Sequence, residues 1–243
     1  MNKQSNVYTI VYITIVVLVV GTLLAFTSMS LRSRQQANAD ADKMRQILNS
    51  VHVTAQKGEK IADIFDQHIK GMMLVNANGE VVLQSDGLDA EIFATDIAAE
   101  SKNADASQRK LPVYVCSVDN GDLKYIIPVS GAGLWGPVWG YIAVDANGST
   151  IYGAYFSHQG ETPGLGAEIE KPAFQQEFVG KQLIKDSEFN PIAVVKAGQK
   201  PNSNADYVDG ISGGTITSKG VGDMLQNCLQ PYAAFLKGLS EKE

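Results

Sequence analysis

Cysteine, histidine and basic charge are all scarce in this chain, and each shortage closes off a class of function. Cys116 and Cys228 are the only two cysteines among 243 residues, and histidine occurs three times. There is no C-x-x-C pair and no Cys/His cluster, which argues against a protein-held iron–sulfur cluster or a structural zinc, each of which usually takes four ligands. Cys116 lies in an apolar strand-like run and Cys228 in a helix-like one, a placement that favours two separate buried thiols, although spacing alone cannot pair or unpair them. The 20 Lys and Arg are outnumbered by 26 Asp and Glu, for a net charge of −6, and this argues against nucleic acid as a partner. No Walker loop is present, since Lys219 does not complete Gly-x-x-x-x-Gly-Lys-Ser/Thr. No strand-turn-helix-strand unit surrounds a Rossmann-type glycine turn.

Charge is missing altogether from Val7 to Phe26, VYTIVYITIVVLVVGTLLAF. A helix needs about 20 apolar residues to cross the hydrocarbon core, and this run supplies them. A cleaved signal peptide would have a shorter apolar region, roughly 7–15 residues, and a positive segment before it. Only Lys3 and the amino terminus precede this run, and no Ala-x-Ala site follows, so a retained anchor is favoured. The expected organisation is a tail at 1–6, a transmembrane helix at 7–30 and one soluble domain from 31 to 243. Arg32, Arg34, Lys43 and Arg45 follow the span; taken by itself, the positive-inside count slightly favours a cytoplasmic domain.

Beyond the span, Leu31 to about Ala55 reads as a helix with Met44, Ile47 and Leu48 on one face, broken by Gly58, and Lys60 to Ile69 as a second short helix. Asn-Gly between apolar β-formers marks two hairpins, Met72–Leu83 and Tyr141–Tyr152, and Asp119–Asp122 a third. Strands are expected at Leu111–Ser117, Lys124–Ser130 and Ile192–Lys196, and polar helix or loop over Ser85–Arg109. Gly131–Gly140 reads as a glycine-rich loop carrying both tryptophans, and Tyr155–Gly166 as a strand end followed by a loop. Lys171–Val179 reads as a short helix started by Pro172. Val221–Leu236 reads as a helix that Pro231 splits, and Ser240–Glu243 as a frayed tail. The fold class is α+β: an antiparallel sheet with flanking helices behind a single N-terminal transmembrane helix.

The most informative segment is Asp209-Gly-Ile-Ser-Gly-Gly-Thr-Ile-Thr-Ser218, with three glycines and four hydroxyl residues in ten positions. Consecutive N–H groups of a glycine turn followed by a helix N-terminus form a cradle for an anion such as phosphate. Ser212, Thr215, Thr217 and Ser218 surround that cradle, and one of them could be esterified to the phosphate. The plain alternative is a helix cap with Ser or Thr at the N-cap and glycine at positive φ.

This segment resembles the flavinylation motif of bacterial FMN-binding domains, Asp-x-x-Ser/Thr-Gly-Ala-Thr, in which FMN is joined to the threonine through a phosphoester. Gly133-Leu-Trp-Gly-Pro-Val-Trp-Gly-Tyr-Ile-Ala143, His158-Gln-Gly-Glu-Thr-Pro-Gly-Leu-Gly166 and the single anchor are similar to the flavin-carrying subunits of sodium-translocating NADH:quinone reductases. The resemblance covers most of the chain and is weakest near residues 85–110. It implies a covalent FMN on Thr215, with Thr217 as the fallback acceptor and Ser212, Gly213, Gly214, Ser218 and Asp209 completing the motif. Gly214 departs from the family's usual alanine. Threonine suits an acceptor because β-branching limits χ1 and so fixes the direction of the ester. Asp209 matches the motif's acid, whose plain role is an Asx-turn or cap. The resemblance also implies that Glu161, Thr162 and Leu165 line the flavin, with Trp135 rather than Trp139 beside it. His158 reads as a strand-end hydrogen-bonding residue.

By this resemblance the chain is an electron-carrier subunit, anchored in the bacterial cytoplasmic membrane with its large domain on the periplasmic side. Its partners are the other subunits of the reductase complex, a flavin transferase for maturation, and membrane lipid. No site for NADH or sodium, and no complete active site, is visible on this chain alone. Flavin subunits of Rnf-type electron-transport complexes share the threonine motif; the Trp-containing segment and the Asn-Gly-Ser-Thr-Ile-Tyr hairpin favour the quinone reductase. A non-redox anchored sensor is the alternative of another class, and it would be colourless after denaturation where a covalent flavoprotein stays yellow.

Overall fold

The computed structural model describes residues 6–103, 105–118 and 121–241. The N-terminal tail with Lys3, residues Asp119 and Asn120 of the third hairpin turn, and the end of the C-terminal tail lie outside them. The chain divides after Lys43 into two units. In the first, helix α1 (Asn6–Asn49) leaves its apolar residues exposed from Val7 to Leu31, and it is long and apolar enough to cross a membrane. The last residues of α1 belong to the second unit, where Met44, Ile47 and Leu48 are buried as the helical spacing requires.

The second unit continues with α2 (Ile61–His68), β1 (Ile69–Val75), β2 (Val81–Ser85), two single-turn helices α3 (Ala90–Phe93) and α4 (Ile97–Glu100), β3 (Leu111–Ser117), β4 (Leu123–Ala132), β5 (Pro137–Asp145) and β6 (Ile151–His158). These six strands form one antiparallel sheet in the order β2-β1-β3-β4-β5-β6. After α5 (Pro172–Gln176), which starts on Pro172 as expected, come β7 (Ile184–Lys185) paired with β8 (Glu188–Phe189), and β9 (Ala193–Val195) paired in parallel with β10 (Tyr207–Asp209). Helix α6 (Thr215–Leu229), a 3-10 turn at Gln230–Tyr232 holding Pro231, and α7 (Ala233–Ser240) end the fold.

Strand alternation sends two sets of side chains to opposite faces, and both faces are covered. Val113, Ile127, Val129, Ile142, Val144 and Phe156 pack on the side of α6 and α7. Met72, Leu74, Tyr114, Cys116, Ile126, Tyr141 and Ala143 pack with the end of α1, with α2 and with Phe93. Burial on both sides explains why the central strands read as continuous apolar runs rather than alternating ones. Cys116 and Cys228 are separate buried thiols, and burial pushes Cys116 up to about 11. The two Asn-Gly turns share a partner as well as a chemistry. A Cβ on Gly79 would meet backbone atoms of Ala234 and Phe235, and one on Gly148 the carbonyl of Leu236, so both hairpins are seated on α7.

Two expectations need correction. The expected loop at Gly131–Gly140 is mostly strand: β4 runs to Ala132, β5 starts at Pro137, and only residues 133–136 turn, closed by Gly133 N–H to the Gly136 carbonyl at 2.8 Å. Its glycines reflect close packing instead. Gly131 lies under Met224, and the space a Gly140 side chain would take is filled by Phe156 and the Tyr155 carbonyl. Helix α6 also starts at Thr215, not Val221. Thr, Ser and Gly are poor helix formers, and tertiary contact overrides that preference here. A Cβ on Gly220 would run into the carbonyl oxygen and carbon of Ala132, so α6 crosses the end of β4 with no side chain between them.

Gly220→Ala therefore destabilises the fold by roughly 1–3 kcal/mol through overpacking, although alanine is the better helix former by about 1 kcal/mol. Urea titration checks this; an unchanged or raised midpoint contradicts the close crossing.

Candidate functional site

The close crossing at Gly220 carries the N-terminus of α6 to the rim where the β4–β5 turn and the loop after β6 meet. Gly213 takes φ +78° and Gly214, which has no side chain to cap the first turn, is the N-cap. The first N–H groups of a helix have no intrahelical acceptor and carry the positive end of the helix dipole. The turn is braced from behind: Ile211 N–H donates to Ser218 Oγ at 2.8 Å, and Gly214 N–H to the Ile211 carbonyl at 3.0 Å.

Thr215 and Thr217 stand in opposite environments. Two residues along a helix are about 200° apart around its axis. Thr215 is exposed, and among the described residues no side-chain hydrogen bond holds its hydroxyl. Thr217 is 1% exposed, and its hydroxyl donates to Glu161 Oε2 at 2.5 Å. Glu161 Oε1 accepts the Trp135 N–H at 2.8 Å, and Glu161 N–H donates to His158 Nδ1 at 3.1 Å. His158 thus holds the loop, and its Nε2 lies 3.8 Å from Glu170.

A cleft of about 400 Å³ opens in front of this network, lined by Leu134, Trp135, Glu161, Thr162, Leu165, Gly166 and residues 213–217. Small-molecule sites are typically of roughly 300–1,000 Å³ with mostly apolar walls. Leu134, Trp135, Leu165 and Ile216 are all exposed around it, an apolar rim that a flat ring would cover. A second cleft of about 200 Å³ lies against the same turn, lined by Val194 to Ala197, Gly210 to Gly213, Thr215, Ser218 and Lys219. The residues present therefore suit a phosphate ester carrying an aromatic ring: an uncapped helix end beside an exposed hydroxyl, with an apolar cleft adjoining.

Of the expected site residues, Thr215, Thr217, Gly213, Gly214, Glu161, Thr162, Leu165 and Trp135 line the larger cleft; Ser212 and Ser218 line the smaller one. Ser218 Oγ accepts the Ile211 N–H at the wall of the smaller cleft. Asp209 stands apart. It is exposed in β10, its N–H donates to Glu177 Oε2 at 3.0 Å, and it borders a different depression with Lys181 and Lys200. It is not the cap of α6, a position held by Gly214. Trp139 points to the opposite face of the sheet, where its Nε1–H donates to Gln46 Oε1 at 2.9 Å. A Cβ on Gly214 would lie 3.2 Å from Gly166 N, Leu165 C and Ile211 Cβ, so glycine lets the turn sit tightly against the Leu165 loop. Leu134, Gly166 and Ile216 were not singled out by the sequence. Ile216 carries a signal only in hindsight, as an aliphatic residue left between two threonines at a helix start.

Residues 133–230 match the FMN-binding domain family. The NqrC subunit of the Na(+)-translocating NADH-quinone reductase of Vibrio vulnificus (strain YJ016) is 37% identical over 216 residues, covering 84% of this chain and 83% of its own length. The corresponding subunit of Yersinia pestis is 30% identical over 258 residues, covering 99% of this chain and 95% of its own length. Among solved structures, that of the same reductase subunit from Parabacteroides distasonis ATCC 8503 is 52% identical with a TM-score of 0.74, covering 85% of this chain and 96% of that one. Shewanella oneidensis NqrC is 27% identical with a TM-score of 0.65, covering 84% of this chain and 99% of that one.

The two threonines separate in stability. Thr217→Val leaves Glu161 Oε2 buried without its donor and costs roughly 1–3 kcal/mol, whereas the exposed Thr215→Val stays within about 0.5 kcal/mol of wild type. Urea unfolding of the chain made without flavin measures both; equal effects contradict the assignment of inside and outside.

Proposed function

The chain belongs to the NqrC family, the flavin-domain subunits of Na(+)-translocating NADH-quinone reductases, and from that membership we propose that it carries electrons on FMN joined covalently to Thr215. The observation that carries this reading is the contrast on α6. Thr215 is exposed at the first helical position beside the larger cleft, while Thr217 is buried against Glu161. A phosphate on Thr215 Oγ1 stands at the helix N-terminus, where uncapped N–H groups and a partial charge of about +0.5 favour an anion. Leu165, Trp135, Leu134 and Ile216 offer apolar cover for the ring, and Thr162 a polar edge.

When bound, FMN supplies one- and two-electron chemistry, and the protein supplies tethering, orientation and potential. Covalent attachment suits this site because the cleft is open at its rim, and a reversibly held flavin would escape into a large surrounding volume. Residues 7–30 anchor the chain as a single span in the bacterial cytoplasmic membrane, and residues 31–243 work on the periplasmic side. There they exchange electrons with other subunits of the complex on the way from NADH to quinone. A flavin transferase forms the ester. The chain itself holds no complete active site.

Thr215→Ala abolishes covalent flavin. Intact mass of the detergent-purified protein, co-expressed with an active flavin transferase, provides the test: wild type gains FMN less one water and T215A gains nothing. Flavin retained in T215A but lost in Thr217→Ala would move the attachment to Thr217.

A further inference from the structure

Glu161 is 4% exposed, forms part of the wall of the larger cleft, and makes no ion pair with any Lys, Arg or His among the described residues. Its two carboxylate oxygens are spoken for by donors that are themselves neutral, the Trp135 N–H and the Thr217 hydroxyl. Two glycines make room for it. A Cβ on Gly133 would meet Oε1, and a Cβ on Gly166 would meet Oε2, so both neighbouring segments lack side chains where the carboxylate sits. The fold thus uses two glycines and a buried threonine to seat a carboxylate that no cationic side chain among the described residues pairs with. Hydrogen bonding alone does not require a charge there, because an amide of the same shape could satisfy the same N–H and hydroxyl. The two hydrogen bonds and the positive end of the α6 dipole offset the cost of holding a carboxylate there, and a nearby group feels its charge more strongly than it would in water.

We propose that Glu161 is a positioning residue that also sets the flavin's potential, holding a fixed negative charge in the cleft wall through Thr217 and Trp135. This rests on the reading that FMN occupies that cleft. Reduction adds electrons to the bound group, with any accompanying protons drawn from solvent, and a fixed negative charge in the wall opposes the added negative charge. The flavin is held at a lower potential than the same cleft would give without the charge. The role differs from that of Leu165 or Trp135, which offer contact area, and from that of Thr215, which offers the bond.

Glu161→Gln tests it, because it removes the charge while keeping the shape, an acceptor for the Trp135 N–H and a partner for the Thr217 hydroxyl. Wild type and E161Q are loaded by the flavin transferase, the extent of attachment is read by intact mass, and the midpoint potential by spectroelectrochemical titration. The expected result is undiminished attachment at Thr215 with a midpoint shifted to more positive potential. An unchanged or lowered midpoint in loaded E161Q overturns the proposal. Where E161Q fails to fold or to load, Glu161→Ala, which removes the charge together with its bonds, is compared with Thr217→Val, which removes one of those bonds and keeps the charge. The midpoint must lie higher in E161A than in T217V, and equal midpoints overturn the proposal. Failure of wild type itself to acquire flavin would instead overturn the function on which the proposal rests.

Discussion

The contact on which the site depends is the crossing of α6 over the end of β4, where Gly220 meets the carbonyl of Ala132 with no side chain between them. Gly131 repeats the device one residue earlier in the strand, beneath Met224. With the helix seated this low on the sheet, Val221, Met224, Leu225 and Leu229 enter the core shared with β4 and β5. The first turn of α6 then reaches the rim formed by Leu134, Trp135 and Leu165. A helix lifted by even one methyl group would carry its N-terminus away from that rim. The core packing of α6 and the placing of its exposed hydroxyl are one constraint seen at two ends.

From that placement follows the division of labour between two threonines of the same turn. Helical geometry sends Thr215 outward and Thr217 inward, and Glu161 completes the inner side by bonding Thr217 and the backbone of Trp135. Three segments distant in sequence are joined at one carboxylate: the β4–β5 turn, the loop after β6 and the start of α6. His158 and Glu170 brace the second of these. The cleft is therefore walled by elements that the sheet and its covering helix hold, although every lining residue lies in a turn, a loop or a helix end.

Much of this was legible in the sequence because its signals are local. The Asn-Gly hairpins, the Pro172 helix start, the break at Pro231 and the apolar face at Met44, Ile47 and Leu48 each follow from turn chemistry or periodicity. The hydroxyl-rich turn stands out by composition, resemblance brought Glu161, Thr162, Leu165 and Trp135 to it, and the fold sets these residues around one cleft. What could not be read was which glycines mark turns and which mark close approach. Gly131, Gly140 and Gly220 look like flexible loop or poor helix, yet each sits where another part of the chain comes too near for a side chain. The same blindness hid the inward bond of Thr217, since its partner lies 56 positions away along the chain. Asp209 shows the converse: part of the motif in sequence, it faces a different depression.

The most direct test of this account is to locate the flavin on the wild-type chain, by fragmenting the peptide that contains Ser212 to Ser218 after co-expression with the flavin transferase. The account predicts the mass of an FMN phosphoester on Thr215, with Ser212, Thr217 and Ser218 unmodified. Flavin on Thr217, or an unmodified peptide from a preparation in which the transferase acts on a control protein, would contradict it.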